Sequence, residues 1–116
     1  MKVDIVDRTT IFATNIVKFT FIFPKTPAGF ALANQIARSG TSIGANIQEA
    51  QSALSKKDFI LSMNRSLKEA RETNYWLKVI RASNLIKANA SDTLLNESEE
   101  LVKVLASIVK KSRLNS

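Results

Sequence analysis

The stretch Arg38-Ser-Gly-Thr-Ser-Ile-Gly-Ala-Asn46 gathers glycines, hydroxyls and an arginine within nine residues. That composition can cradle a phosphate when backbone N–H groups and a cation turn toward one anion. A phosphate loop, however, needs G-x-x-x-x-G-K-[ST] after a strand. Here the glycines are spaced G-x-x-x-G, no lysine follows, and the preceding residues repeat with a helical period. The other reading is a helix face kept small so that a second helix can come close. Close approach would offset the ~1 kcal/mol that each glycine costs a helix relative to alanine.

Glu49, Glu69 and Glu72 are the carboxylates placed to converge inside a helical bundle. A di-iron carboxylate site pairs such residues with Glu-x-x-His motifs, and the chain has no histidine. A carboxylate pair for glycoside hydrolysis sits in an aromatic-lined cleft, and one Trp and one Tyr are thin support for one. Helical ribonucleases of the HEPN type need Arg-x-x-x-x-His, which is missing. Cysteine is absent too, so thiolate chemistry, disulfides and zinc sites fall away. No enzymatic activity, cofactor or metal is expected, and the glutamates read as ion-pair partners of Arg38, Arg65, Lys68 and Arg71.

The elements that position these residues follow from composition and period. The chain has 116 residues, 45% hydrophobic and 23% charged, which suits a single domain over residues 1–116. Three glycines and two prolines are too few for an all-β fold. A net charge of +7 points to an anionic partner, nucleic acid ahead of membrane. The most apolar stretch, Ile11 to Phe23, is broken by Thr14, Asn15, Lys18 and Thr20 and falls short of the ~20 residues of a membrane span. Asp4 and Asp7 spoil a secretory signal, so a cytoplasmic protein is the default.

Ile5, Phe12 and Phe19 lie seven apart, as do Ile16 and Phe23, which predicts a first helix from about Asp4 to Phe23. The run from Ile16 to Phe23 has strand-like composition, but the heptad spacing favours helix. Thr26 and Pro27 form a start signal for a second helix running to about Ala50, with Leu32, Ile36, Gly40, Ile43, Ile47 and Ala50 inward. Ser55 and Asp58 open a third helix reaching about Ala82, with Phe59, Met63, Leu67, Ala70, Asn74 and Leu77 inward. Ser91 is the expected N-cap of a fourth, with Leu94, Leu101, Leu105 and Ile108 on its core stripe. The fold class is therefore all-α, an antiparallel up-down-up-down four-helix bundle.

Two surfaces stand out. Between Ala28 and Leu54 the only charges are Arg38 and Glu49, so the second helix is covered on more than one side, either within the bundle or at a subunit interface. Its outer face carries Arg38, Ser42 and Glu49. On a helical wheel of the third segment, Leu61, Trp76 and Val79 fall far from the core stripe, with Arg65, Glu69 and Glu72 around them. Arg65–Glu69 and Lys68–Glu72 have i,i+4 spacing. An apolar centre rimmed by paired charge reads as an oligomer interface. A third sector holds Lys57, Asn64, Lys68, Arg71, Tyr75 and Lys78. The segment from Lys56 to Ala82 has seven basic and three acidic residues and so supplies +4 of the +7. Such a stripe suits a phosphate backbone, with Tyr75 stacking on a base. Lys110, Lys111 and Arg113 are second candidates.

The stretch Gln35-Ile-Ala-Arg-Ser-Gly-Thr-Ser-Ile-Gly-Ala-Asn-Ile-Gln-Glu-Ala50 resembles the signature of the four-helix-bundle family encoded within 23S rRNA intervening sequences. So do Ser55-Lys-Lys-Asp-Phe59 and Leu67-Lys-Glu-Ala-Arg-Glu-Thr-Asn-Tyr-Trp-Leu77. Gly40 stands where the family typically has alanine. The resemblance implies a bundle that assembles into a homopentameric ring. It also implies kinship with the accessory variability proteins of diversity-generating retroelements, similar basic pentamers that bind nucleic acid and a reverse transcriptase. The family is not known for enzymes. Two functions stay open: a homo-oligomer that binds RNA or DNA through its basic surface, and a ring that scaffolds a protein partner such as a reverse transcriptase.

Overall fold

The structure, a computed structural model, describes residues 4–115. Among them there are four α-helices and no strand: α1 (Ile5–Thr20), α2 (Pro27–Gln51), α3 (Lys56–Ala82) and α4 (Asp92–Leu114), with a short 3₁₀ turn, Ala88–Ser91, ahead of the last. Side chains fix the starts. Asp4 accepts from the Val6 N–H at 2.9 Å, Thr26 from Gly29 at 3.1 Å, and Ser55 from Asp58 at 3.1 Å. Each bond satisfies an amide that the first helical turn leaves without a partner.

Short links make neighbours antiparallel. Gly40 of α2 faces Ile16 of α1, and Gly44, one turn on, faces Thr9. Ser39 pairs with Thr73 across α2 and α3, and Ser66 with the Ile43 carbonyl. Asn74 meets Ser98 across α3 and α4, and Arg8 meets Glu97 across α1 and α4. The result is the expected up-down-up-down bundle. Helix α2 lies between α1 and α3 and packs broadly on both, so it is covered on two sides within the bundle. The α1–α4 seam is much sparser than the other three.

The core is as expected over most of its length. Phe12, Ile16, Ile36, Ile43, Ile47, Met63, Leu77, Ile80, Leu101 and Leu105 are fully buried. Three local differences stand out. Helix α1 stops at Thr20, not Phe23. The N–H groups of Phe21, Ile22 and Phe23 donate to the carbonyls three residues back, and Pro24 disfavours helical φ/ψ at the residue before it. Phe23 still reaches the core, its ring edge-on to Phe19 at 5.0 Å. At α4, Ser91 occupies the N-cap position, but its side chain makes no capping bond, because the 3₁₀ turn gives it helical backbone angles. Further along, Ile108 is half-buried and Val109 takes the inward place.

The interior also holds a polar layer. Thr9, Ser39, Ser66, Thr73, Ser91 and Ser98 are all buried. Thr73 Oγ1 and Ser39 Oγ are 2.8 Å apart, Ser66 Oγ donates to the Ile43 carbonyl at 2.8 Å, and Asn74 Nδ2 donates to Ser98 Oγ at 2.9 Å. Among the described residues no buried side-chain nitrogen or oxygen lacks a partner. This layer lets small hydroxyls stand where larger apolar residues would force the helices apart.

Candidate nucleic-acid interface

Helix α3 is a ridge between α2 and α4, and its two outward flanks differ. Toward α2, the Arg38 guanidinium bonds Glu72 and lies 3.3 Å from Glu69 Oε1. Trp76 Nε1 donates to Glu72 Oε2 at 3.1 Å, and its half-buried indole packs on the core. Burial pulls the Arg38 pKa down, but the hydrogen bond and charge of Glu72, with Glu69 behind it, more than reverse that, so the net direction is up. With Arg38 half-exposed, the pairs act as a positioning device worth about 0–1 kcal/mol.

The rest of the expected interface follows the same α2–α3 seam. Ser42 donates to the Arg38 carbonyl. Val79, half-buried, lies one turn beyond Trp76. At the far end Glu49, Leu61 and Arg65 line one shallow cleft with Asp58. Arg38, Glu69, Glu72 and Trp76 are thus bonded together and Glu49, Leu61 and Arg65 share a cleft, with a correction to the expected charge pattern. Among the described residues neither Arg65–Glu69 nor Lys68–Glu72 forms an ion pair, because Arg38 reaches across from α2 and takes both glutamates.

Toward α4, Lys57, Lys68, Arg71, Tyr75 and Lys78 are all exposed. None of the four cations has a carboxylate within ion-pair distance among the described residues. Arg71 borders a cleft of about 250 Å³ with Asn74, Glu99, Val102 and Lys103. The second group of cations is divided. Lys56 Nζ bonds the Asn115 carbonyl, which brings the start of α3 to the end of α4 and Lys57 to the same end as Lys110 and Arg113. Lys111 is turned to the opposite side, beside Asp4, Ile5 and Arg8.

Two features of these surfaces were missed in the sequence. Lys103 lies across the cleft from Arg71, and its seven-residue spacing to Lys110 was the available signal. Arg8 makes a forked bridge to Glu97, Nε to Oε2 at 2.8 Å and the second nitrogen to Oε1 at 2.9 Å. The Glu97 hydrogen bond raises the Arg8 pKa against the effect of burial. The pair spans 89 residues of sequence, so no local pattern announces it. Open clefts lie on either side of this bridge, lined by Ile11, Phe12 and Leu94 on one side and by Ile5, Val104 and Ile108 on the other. Among the described residues no group of three or more acidic, His or Cys side chains is gathered to hold a metal ion. None of the described helices is long and apolar enough to cross a membrane.

The fold and surface together define a small helical bundle with an apolar core, a few buried hydroxyls, two glycines at the α1–α2 contact and an exposed cationic row on α3. The sequence matches the 23S rRNA-intervening sequence protein family over residues 1–107, and the chain belongs to that family. A crystal structure of a protein of unknown function from the S23 ribosomal protein family, from Bacteroides thetaiotaomicron, is similar to it at 41% identity with a TM-score of 0.85. That match covers 92% of this chain and 99% of the other. No curated protein matches the sequence.

Proposed function

We propose that the protein is a non-enzymatic homo-oligomeric bundle that binds RNA or DNA through the exposed flank of α3. The observation that carries this is the row Lys57, Lys68, Arg71 and Lys78, solvent-exposed and free of acidic partners among the described residues, with Tyr75 within it. Cations held that way are available to replace the counterions of a phosphate backbone. The family name points to an rRNA setting, and the similar crystallised protein is of unknown function. The self-contact is assigned to the α2–α3 strip around Trp76 and Leu61. A ring of five copies is the form that the family resemblance implies, along with the kinship to retroelement accessory proteins.

The test is the salt dependence of binding. Lys68→Glu with Arg71→Glu should weaken affinity and reduce the slope of log K against log salt by roughly 2 if both residues contact phosphates. Unchanged affinity and slope would remove the assignment. The second reading, a scaffold for a protein partner such as a reverse transcriptase, has in its favour the exposed Phe21, Ile22 and Phe30 near the α1–α2 link. It predicts weak nucleic-acid binding by the protein alone that rises when the partner is added.

A further inference from the structure

The geometry points to a single-stranded segment of nucleic acid, not a duplex, as what lies along α3, with Tyr75 the platform on which a base stacks. This rests on the nucleic-acid reading above and narrows it.

On α3 the cations form a single row. Lys68, Arg71 and Lys78 follow one line on α3, and Lys68 to Lys78 spans about 15 Å of helix. Carboxylates border that line on both sides. Glu69 and Glu72 stand on the α2 side, held by Arg38. On the α4 side Glu99 lines the Arg71 cleft, together with Lys103, which pairs with Glu100 at 3.2 Å. A duplex brings a second backbone as well, about 12 Å away across a major groove, on the side of one or other set of carboxylates.

Tyr75 supplies the other half. Its side chain is 58% exposed, in the middle of the cations, four residues after Arg71 and three before Lys78. An exposed ring on a helix is normally free to swing, but this one meets the Trp76 ring at 5.2 Å with 60° between their planes. Trp76 is in turn seated on the core and bonded to Glu72, which Arg38 holds. The brace fixes the side from which the Tyr75 ring can be approached. A base in a single strand has a free face to offer such a ring, and stacking of this kind tolerates any sequence. Bases in a duplex are already stacked on one another, and exposing one costs a few kcal/mol.

The experiment uses fluorescence anisotropy with labelled mixed-sequence RNA and DNA oligonucleotides of about 12 nucleotides, each alone and annealed to its complement. The wild-type protein should bind the single strands more tightly than the duplexes. Tyr75→Ala should weaken single-strand binding by about 5- to 150-fold and leave duplex binding unchanged, while Tyr75→Phe should keep wild-type affinity. Duplexes bound as tightly as single strands, or single-strand binding untouched by Tyr75→Ala, would overturn the inference and leave the broader nucleic-acid reading standing. No binding to any of the four probes would overturn both.

Discussion

Ile16 and Gly40 meet at a distance that admits no side chain on the glycine: a Cβ built there would lie 2.9 Å from Ile16 Cγ2 and 3.1 Å from Cγ1. Both residues are buried, and the contact is where α1 crosses α2. The G-x-x-x-G stretch is therefore a close-packing device in the middle of α2, and its phosphate-binding reading has no geometric basis. Gly40→Ala gains up to ~1 kcal/mol in helix propensity but forces the helices apart, for an expected net loss of about 1–2 kcal/mol. Ile16→Ala alone should cost about 2–5 kcal/mol. The double variant should be more stable than the sum of the two losses implies, measured by urea unfolding. Strict additivity would mean that the contact is not the cause.

The Ser39–Thr73 hydrogen bond makes a different prediction. Thr73→Val leaves the buried Ser39 hydroxyl without one of its partners, and should cost about 1–3 kcal/mol. Adding Ser39→Ala removes the stranded group and should recover part of the loss. A double variant no better than Thr73→Val alone would show that shape, not hydrogen bonding, sets the cost.

The forked Arg8–Glu97 bridge ties α1 to α4 across an otherwise open seam. Both side chains are about one-third exposed, so removing it should cost only about 1 kcal/mol globally. Its local effect should be larger. Hydrogen exchange at α1 amides should accelerate in Arg8→Ala, and the charge swap Arg8→Glu with Glu97→Arg should restore protection. Equal exchange in all three proteins would show that the bridge does not hold α1 in place.

The same bridge carries a pH expectation. Glu97 raises the Arg8 pKa in the folded state. A raised folded pKa gives stability that is complete below the unfolded value and is lost only as pH climbs through the folded one. For a guanidinium that window lies beyond the working range. The stability difference between wild type and Arg8→Ala should stay constant from about pH 7 to about pH 10. A difference that shrinks within that range would implicate another titrating group.

Leu61, 47% exposed beside Glu49 and Arg65, tests the proposed self-contact. Light scattering on a size-exclusion column should give a discrete oligomer for the wild type. Leu61→Asp should shift it toward monomer with helical content intact. A wild-type monomer would remove the oligomer proposal altogether.

The helix starts were legible because capping is local. Thr26-Pro27 and Ser55 with Asp58 sit within one turn of the amides they satisfy. The apolar stripes were legible because burial follows the helical period. The buried hydroxyls were not recognised, since a serine looks like surface until its partner is known. Their signal was present in heptad spacing, Ser66 to Thr73 and Ser91 to Ser98. On the wheel, the flanks of α3 could be separated but not oriented. Which of them leans on α2 was decided by Arg38, reaching Glu69 and Glu72 over 31 and 34 residues of sequence.

The sparse α1–α4 seam has a consequence for the order in which the chain assembles. Helices α1 with α2, α2 with α3 and α3 with α4 each close as hairpins of sequence neighbours, contacts that carry little loop-closure entropy and favour fast folding. The α1–α4 seam joins elements far apart in sequence, the Arg8–Glu97 bridge alone spanning 89 residues, and its packing is the sparsest of the four. Docking of α1 against α4 should therefore come late, and the same seam should be the first to part when the native state breathes.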